Sequence, residues 1–318
     1  MKSRLKLENI EQAVGVIDPV FLHTPQFRCE PLEDITECRM LIKIETLNPI
    51  RSFKGRGASC FVAKLPTGST LVCASAGNLG QAMAYVCREK GIKAVVYASV
   101  SANPFKIARM QALGAEVRLE GEDFDAAKLA ARNFAQLSGA TLVEDSLDVE
   151  TCEGAGTIAI ELLKWQEPID VVLVALGNGA LLTGVARWIK AFSPKSEVIG
   201  VVAEGAPAMA ESFQSGKIVS YAKVNTIADG IAVRTPIPEV LSDMQGTVDK
   251  VLVVDDETTI KAMKLLHKHL GIIAEPSGAV GLAAVLNNRE LFRGKLVAII
   301  VCGGNLTDEQ VNRYWGIR

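Results

Sequence analysis

The 318-residue chain carries 34 Lys and Arg against 36 Asp and Glu, a formal charge of −2, and 49% of its residues are apolar. Near-neutral charge gives no electrostatic reason to bind a polyanion such as nucleic acid, so small molecules are the expected ligands. A chain of this length supplies one or two globular domains, and it holds no run of about 18 uninterrupted apolar residues of the kind a membrane span needs.

The opening segment, Met1 to Glu8, is charged with no apolar stretch behind it, so neither export nor anchoring is expected. Cysteines at 29, 38, 60, 73, 87, 152 and 302 are odd in number and form no CxxC or Cys/His ladder. They read as reduced thiols of a cytoplasmic protein. A first strand is expected at Leu41–Ile44, and from residue 71 onward a βα rhythm sets in. Strands are expected at Leu71–Ala74, Ala94–Ala98, Glu116–Leu119, Ile169–Ala175, Val198–Ala203, Lys250–Val254 and Leu296–Val301. Between them, helical spacing predicts Leu79–Lys90, Asn103–Leu113, Phe124–Leu137, Gly154–Trp165, Leu181–Ala191 and Thr258–Leu270. The result is an α/β protein whose mostly continuous apolar strands suit parallel sheets covered on both faces.

Open parallel sheets bind ligands beyond the carboxyl ends of their strands, so the strand-to-helix turns are the places to look. After Leu41–Ile44 comes Asn48-Pro49-Ile50-Arg51-Ser52-Phe53-Lys54, where Ser52 can cap a helix and Lys54 falls in its first turn. The helix dipole disfavours a cation there by roughly 0.3–1 kcal/mol, and Arg51 and Arg56 are expected to add positive potential. Such surroundings favour a neutral amine, the form that imine chemistry requires. The turn Ser75-Ala76-Gly77-Asn78-Leu79-Gly80 offers backbone amides, a hydroxyl and a side-chain amide to an anion such as a carboxylate. Gly177-Asn178-Gly179-Ala180-Leu181 has the make-up of a phosphate seat. It also imitates a dinucleotide fingerprint with Glu204, but Leu182 replaces the third glycine and Glu204 comes too late. Finally, Cys302-Gly303-Gly304-Asn305 ends the last strand with a thiol.

Taken in order, Ser52-Phe53-Lys54, Ser75-Ala76-Gly77-Asn78, the glycine turn at 177–179, Ala228-Asp229-Gly230, Glu275-Pro276-Ser277-Gly278 and Cys302-Gly303-Gly304-Asn305 resemble one family over nearly the whole chain. It is the serine/threonine dehydratase family of fold-type II pyridoxal-phosphate-dependent enzymes, whose relatives include serine racemase and hydroxyaspartate dehydratase. The resemblance implies a tryptophan synthase β-like fold of two open, twisted, mostly parallel sheets flanked by helices. It further implies a large domain from 1–49 and 150–318, a small domain from 50–149, a cofactor between them, and a homodimer.

Carried onto this chain, Lys54 would hold pyridoxal 5′-phosphate as an imine and remove the α-proton, with Phe53 packed beside the cofactor. Asn78 would bond the ring's 3-oxygen, and Cys302 would sit at the ring nitrogen. Ser75, Ala76, Gly77 and Asn78 would grip the substrate carboxylate, while Gly177, Asn178, Gly179, Ala180 and Leu181 would seat the phosphate. The implied activity is that of an ammonia-lyase or dehydratase, acting by β-elimination on L-serine, L-threonine or 3-hydroxyaspartate to give a 2-oxo acid and ammonia. The alternative is β- or γ-replacement, in the manner of cysteine synthase or threonine synthase. A thiol at the ring nitrogen does not enforce its protonation, which suits elimination better than transamination.

Departures from the family carry information. Ala76 stands where racemases have a second serine, so efficient racemisation is not expected. Asn178 and Ala180 interrupt the usual glycine run but keep its amides. Glu204, Ala208 and Ala210 match the family's cation site with Ala210 in place of an acid, which favours a monovalent ion, K⁺, over magnesium. The sequence ends about a helix after Cys302, so no regulatory domain of the kind carried by biosynthetic threonine dehydratases is expected.

Overall fold

The computed structural model describes residues 3–316. Its strands, in chain order, are β1 (Gln26–Arg28), β2 (Arg39–Ile44), β3 (Thr70–Ala74), β4 (Lys93–Ala98), β5 (Glu116–Leu119), β6 (Thr141–Leu142), β7 (Val171–Ala175), β8 (Glu197–Ala203), β9 (Lys250–Val254) and β10 (Leu296–Val301). Six of them form a sheet in the order β1-β2-β10-β7-β8-β9, parallel except where β1 runs against β2. The other four form a wholly parallel sheet, β5-β4-β3-β6. Helices flank both, giving the expected α/β architecture of two mostly parallel sheets.

The strand orders locate the ligand site. In the smaller sheet the chain proceeds from β3 outward to β4 and β5, then returns to the other side of β3 as β6. In the larger sheet it proceeds from β7 to β8 and β9, with β10 returning on the opposite side of β7. Loops that leave neighbouring strands in opposite directions open a crevice at that point. The crevices lie after β3, where Ser75–Asn78 follow, and after β7 and β10, where Gly177–Gly179 and Cys302 follow.

Each sheet has its own apolar core. Met40, Ile42, Leu173, Ile199, Val280 and Ile299 are fully or almost fully buried about the larger sheet, whereas Leu71, Val96, Met83 and Met110 pack on the smaller one. Ile17, Phe21 and Ile50 also join the smaller sheet's core. Between the sheets, the helix Lys54–Val62 crosses the helix Val149–Leu162 with backbones nearly touching. A Cβ on Gly57 would lie 2.6 Å from the Thr151 carbonyl oxygen, and one on Gly154 would lie 2.7 Å from the Gly57 Cα. Only glycine permits that approach, so this pair sets how deeply the Lys54 helix is seated.

Several elements escaped the sequence reading. Strands β1 and β6 are three and two residues long, too short for periodicity to register. The helix expected from Gly154 begins at Val149. Pro276–Asn287 forms a helix whose residues are buried through Val285, so no polar face marks its period. Among the described residues no helix is long and apolar enough to cross a membrane, and all seven cysteines are free and buried.

Candidate active site

Lys54 is the first residue of its helix, with Phe53 in the capping position and the Ser52 hydroxyl accepting from the Lys54 amide at 3.4 Å. The lysine side chain enters a cavity of about 520 Å³ whose walls include Phe53, the Ser75–Asn78 loop, the Gly177–Leu181 turn, Ser277 and Cys302. Its surroundings differ from those expected. Arg56 points away from it, wholly buried against Glu45 and Glu161, and Arg51 is exposed. In place of positive neighbours, the Lys54 Nζ meets both carboxylate oxygens of Asp145, at 2.7 and 2.6 Å.

The two loops contribute amides. In Ser75–Gly80 the Ser75 Oγ accepts from the amides of Gly77 (3.1 Å) and Gly80 (2.9 Å), which shapes the loop and engages the hydroxyl in doing so. The amides of Ala76, Asn78 and Leu79 have no partner among the described residues. In the second loop Gly179 adopts φ +104 and starts the helix Ala180–Phe192. The Ala180 amide donates to the Ser146 Oγ at 2.9 Å, so that one member of the expected phosphate seat is already taken. The amides of Asn178, Gly179 and Leu181 have no partner among the described residues and lie at a helix N-terminus, where partial positive charge accumulates.

The far wall is a hydrogen-bonded set. Asn78 donates through Nδ2 to the Glu275 Oε1 at 2.8 Å and accepts at Oδ1 from the Asn305 Nδ2 at 2.7 Å, leaving one Nδ2 hydrogen for a ligand. The Asn305 amide donates to the Glu275 Oε2 at 2.9 Å. The Cys302 thiol donates to the Ser277 carbonyl at 3.6 Å, and burial followed by the charge of Glu275 pushes it up to about 12, an uncharged thiol at neutral pH. The Ser277 Oγ is buried without a partner among the described residues. These features fit pyridoxal phosphate: an amine, free amides at a helix start, an uncharged thiol and an orphaned hydroxyl bordering one cavity.

Glu275 belongs to a motif noticed in the sequence, yet its place in the site was not foreseen. Burial, and next the negative charge of Asp229, raises its carboxyl to about 7. A folded pKa above the unfolded 4.5 contributes stability that is full below 4.5 and lost as pH rises through about 7. Between pH 5 and 8 the native protein should therefore lose more unfolding free energy than Glu275→Gln does. Denaturant titrations giving parallel pH dependences for the two would contradict this assignment.

Three ion pairs among the described residues join the segments after the smaller sheet's strands to the loops of the larger sheet beside the cavity. Lys106 pairs with Asp229; burial works against its ammonium, but the Asp229 charge outweighs burial and leaves the pKa raised. Arg234 pairs with Asp125 and, at 3.2 Å, with Asp123. The expected cation ligands lie elsewhere: Glu204 is exposed after β8, and Ala208 and Ala210 are the first and third residues of the helix Ala208–Ser215. Glu204 and Ala210 border a separate cavity of about 570 Å³. Asp145, the lysine's partner, was not identified from sequence, since it follows a two-residue strand and belongs to no recognisable turn motif.

An amine, loop amides and an uncharged thiol that border one cavity, beside two mostly parallel sheets, define a cofactor-dependent enzyme cleft. Residues 17–303 match the family described as pyridoxal-phosphate dependent enzyme, and the chain belongs to that family. It is 35% identical to an L-threonine ammonia-lyase of Thermotoga maritima over 97% of this chain and 78% of that protein. It is 32% identical to a catabolic L-threonine dehydratase of Staphylococcus aureus over 95% of this chain and 89% of that protein. Among solved structures it resembles maize serine racemase (TM-score 0.91, 27% identity, 98% and 97% of the two chains). It also resembles the processed form of threonine deaminase isoform 2 from Solanum lycopersicum (TM-score 0.90, 27% identity, 99% and 94%). These likenesses support pyridoxal-phosphate-dependent β-elimination.

Proposed function

We propose that the chain is an ammonia-lyase that eliminates water from a small β-hydroxy amino acid, giving a 2-oxo acid and ammonia. The observation that carries this reading is the meeting of Lys54, Asn78, Cys302 and the free amides of two loops on one cavity. When bound, pyridoxal phosphate supplies an electron sink at the substrate's α-carbon. Lys54 is the base at the α-proton. The amides of Ala76 and Asn78, in the loop shaped by Ser75 and Gly77, hold the substrate carboxylate. Those of Asn178, Gly179 and Leu181 would hold the cofactor's phosphate, with Gly177 and Ala180 setting the turn. Asn78 and Cys302 would serve the ring's oxygen and nitrogen, and Phe53 would pack beside the ring. Because the Cys302 thiol is uncharged, it does not lock a proton on the ring nitrogen, which favours rapid departure of a β-substituent over a long-lived carbanion.

Arg234, an arginine on the cavity wall that a second carboxylate could meet, is engaged by Asp123 and Asp125. That ranks L-serine and L-threonine above 3-hydroxyaspartate. We further propose a small lobe of residues 50–149 that closes on a large lobe of 1–49 and 150–318, excluding water before proton abstraction. A K⁺ ion held by the Glu204 carboxylate with the carbonyls of Ala208 and Ala210, a homodimeric state and a cytoplasmic location complete the reading, all by likeness to the family.

An oxo-acid assay across L-serine, L-threonine and 3-hydroxyaspartate, with and without K⁺, tests this. Pyruvate from serine alone, or 2-oxobutyrate from threonine alone, is the expected product. Turnover that demands an added nucleophile would establish replacement in place of elimination, and indifference to K⁺ would remove the cation.

A further inference from the structure

Asp145 holds the active-site lysine, and neither the sequence motifs nor the roles assigned above account for it. Its carboxylate lies 2.6 and 2.7 Å from the Lys54 Nζ, the two side chains are 17% and 16% exposed, and both border the cavity that carries the Ser75–Asn78 loop. The segment behind it is pinned at four points. The Ser146 amide donates to the Thr151 Oγ1 at 2.9 Å, and the Ser146 Oγ accepts from the Ala180 amide at 2.9 Å. The carbonyls of Ser146 and Leu147 accept from Arg4 at 3.1 and 2.8 Å. Ser146 itself sits at φ +69, a conformation that costs energy for a residue other than glycine and that these bonds maintain. A backbone held this way fixes a carboxylate against the Lys54 amine on the cavity wall.

We infer that Asp145 carries the proton from Lys54 to the departing β-substituent; this rests on the β-elimination reading. Lys54 Nζ takes the α-proton, and the Cα–H electron pair becomes the second Cα–Cβ bond. The Cβ–O bond breaks with its pair remaining on oxygen. Asp145 accepts a proton from the Nζ ammonium and delivers it to that oxygen, so water leaves, Lys54 returns to the free amine and Asp145 to the carboxylate. No outside reactant is consumed. A hydroxyl departs poorly without a proton, and a positioned acid contributes about 10²–10⁴-fold to such a step.

Asp145→Asn separates this role from a structural one through the choice of leaving group. With L-serine or L-threonine, kcat should fall about 10²-fold or more. With β-chloro-L-alanine, whose chloride departs without a proton, it should stay within about threefold of wild type. Asp145→Glu should recover part of the loss on the hydroxy substrate. Equal losses on both substrates, or no loss on either, overturn the relay while leaving elimination intact. Wild-type protein inert toward both substrates overturns elimination and the relay with it. In cofactor-free protein, trinitrobenzenesulfonate should modify Lys54 several-fold faster in Asp145→Asn than in wild type. Equal rates would show that the carboxylate does not hold the amine in solution, and would also overturn the relay.

Discussion

Lys54→Ala should lose turnover by about 10³-fold or more and, in the presence of pyridoxal phosphate, should lack the visible absorbance of lysine-bound cofactor. Lys54 borders one cavity with Asn78, Cys302 and the loop amides; among the described residues Lys106 and Lys128 also border it, paired with Asp229 and Glu144 as Lys54 is with Asp145, but only Lys54 lies in the Ser52-Phe53-Lys54 motif. Lys54→Arg is the informative companion, because a guanidinium can keep the charge opposite Asp145 yet supplies neither a nucleophile nor a base. Both variants should fold, as judged by circular dichroism and denaturant midpoints, since Lys54 lies on the cavity wall and not in either core. Persistence of the absorbance band in Lys54→Ala would remove the lysine from its role, and with it the proposed chemistry.

The second large effect concerns stability. Arg56→Ala should destabilise the protein by about 3–5 kcal/mol, the usual cost of stranding a buried charge. The Arg56 guanidinium is fully buried and donates to both oxygens of Glu45 (2.8 and 2.9 Å), to both of Glu161 (2.8 and 3.1 Å), to Thr157 (3.0 Å) and to Thr24 (3.2 Å). Lys43, also buried, donates to Glu161 at 2.5 Å. Two cations and two carboxylates balance; without Arg56 one buried negative charge has no partner. Burial by itself would push the Glu161 carboxyl up, but the hydrogen bond and charge of Arg56, then those of Lys43, bring it down to about 2. A folded pKa below the unfolded 4.5 contributes stability that is present above 4.5 and lost as pH falls through about 2. The variant should therefore show a shallower acid dependence as well as a lower denaturant midpoint at pH 7. A loss under about 1 kcal/mol would mean that water reaches the cluster and screens it. Arg56→Lys should fall between, because a single ammonium cannot reproduce the planar fork toward two carboxylates.

This cluster explains why the sequence reading misjudged Arg56. At two positions from Lys54 it looked like a contributor to the lysine's electrostatics, yet on a helix two residues turn a side chain to the far face. Its partner Glu161 lies 105 residues away, and Asp145 lies 91 residues from Lys54; no local pattern announces either contact. The buried helix Pro276–Asn287 escaped notice for a related reason, since a helix without a solvent face has no amphipathic period to detect.

What the sequence alone determined was local: mostly continuous β-branched runs of the kind expected in covered parallel strands, glycine and asparagine turns that offer amides, and a lysine at a helix start. Those features depend on residues within a few positions of one another, so chain order preserves them, and they sufficed for the α/β architecture and the ligand loops; the cofactor chemistry came from the resemblance of those motifs, in their order, to one family. Only the tertiary structure decided which charge stands against Lys54, which way Arg56 points, that the Ala180 amide is already engaged by Ser146, and that Glu275 is buried beside Asn78 and Asn305. Each joins residues brought together by strand order and by the glycine-to-glycine crossing at Gly57 and Gly154. Charge pairing and desolvation act through distance in space, and distance along the chain does not encode it.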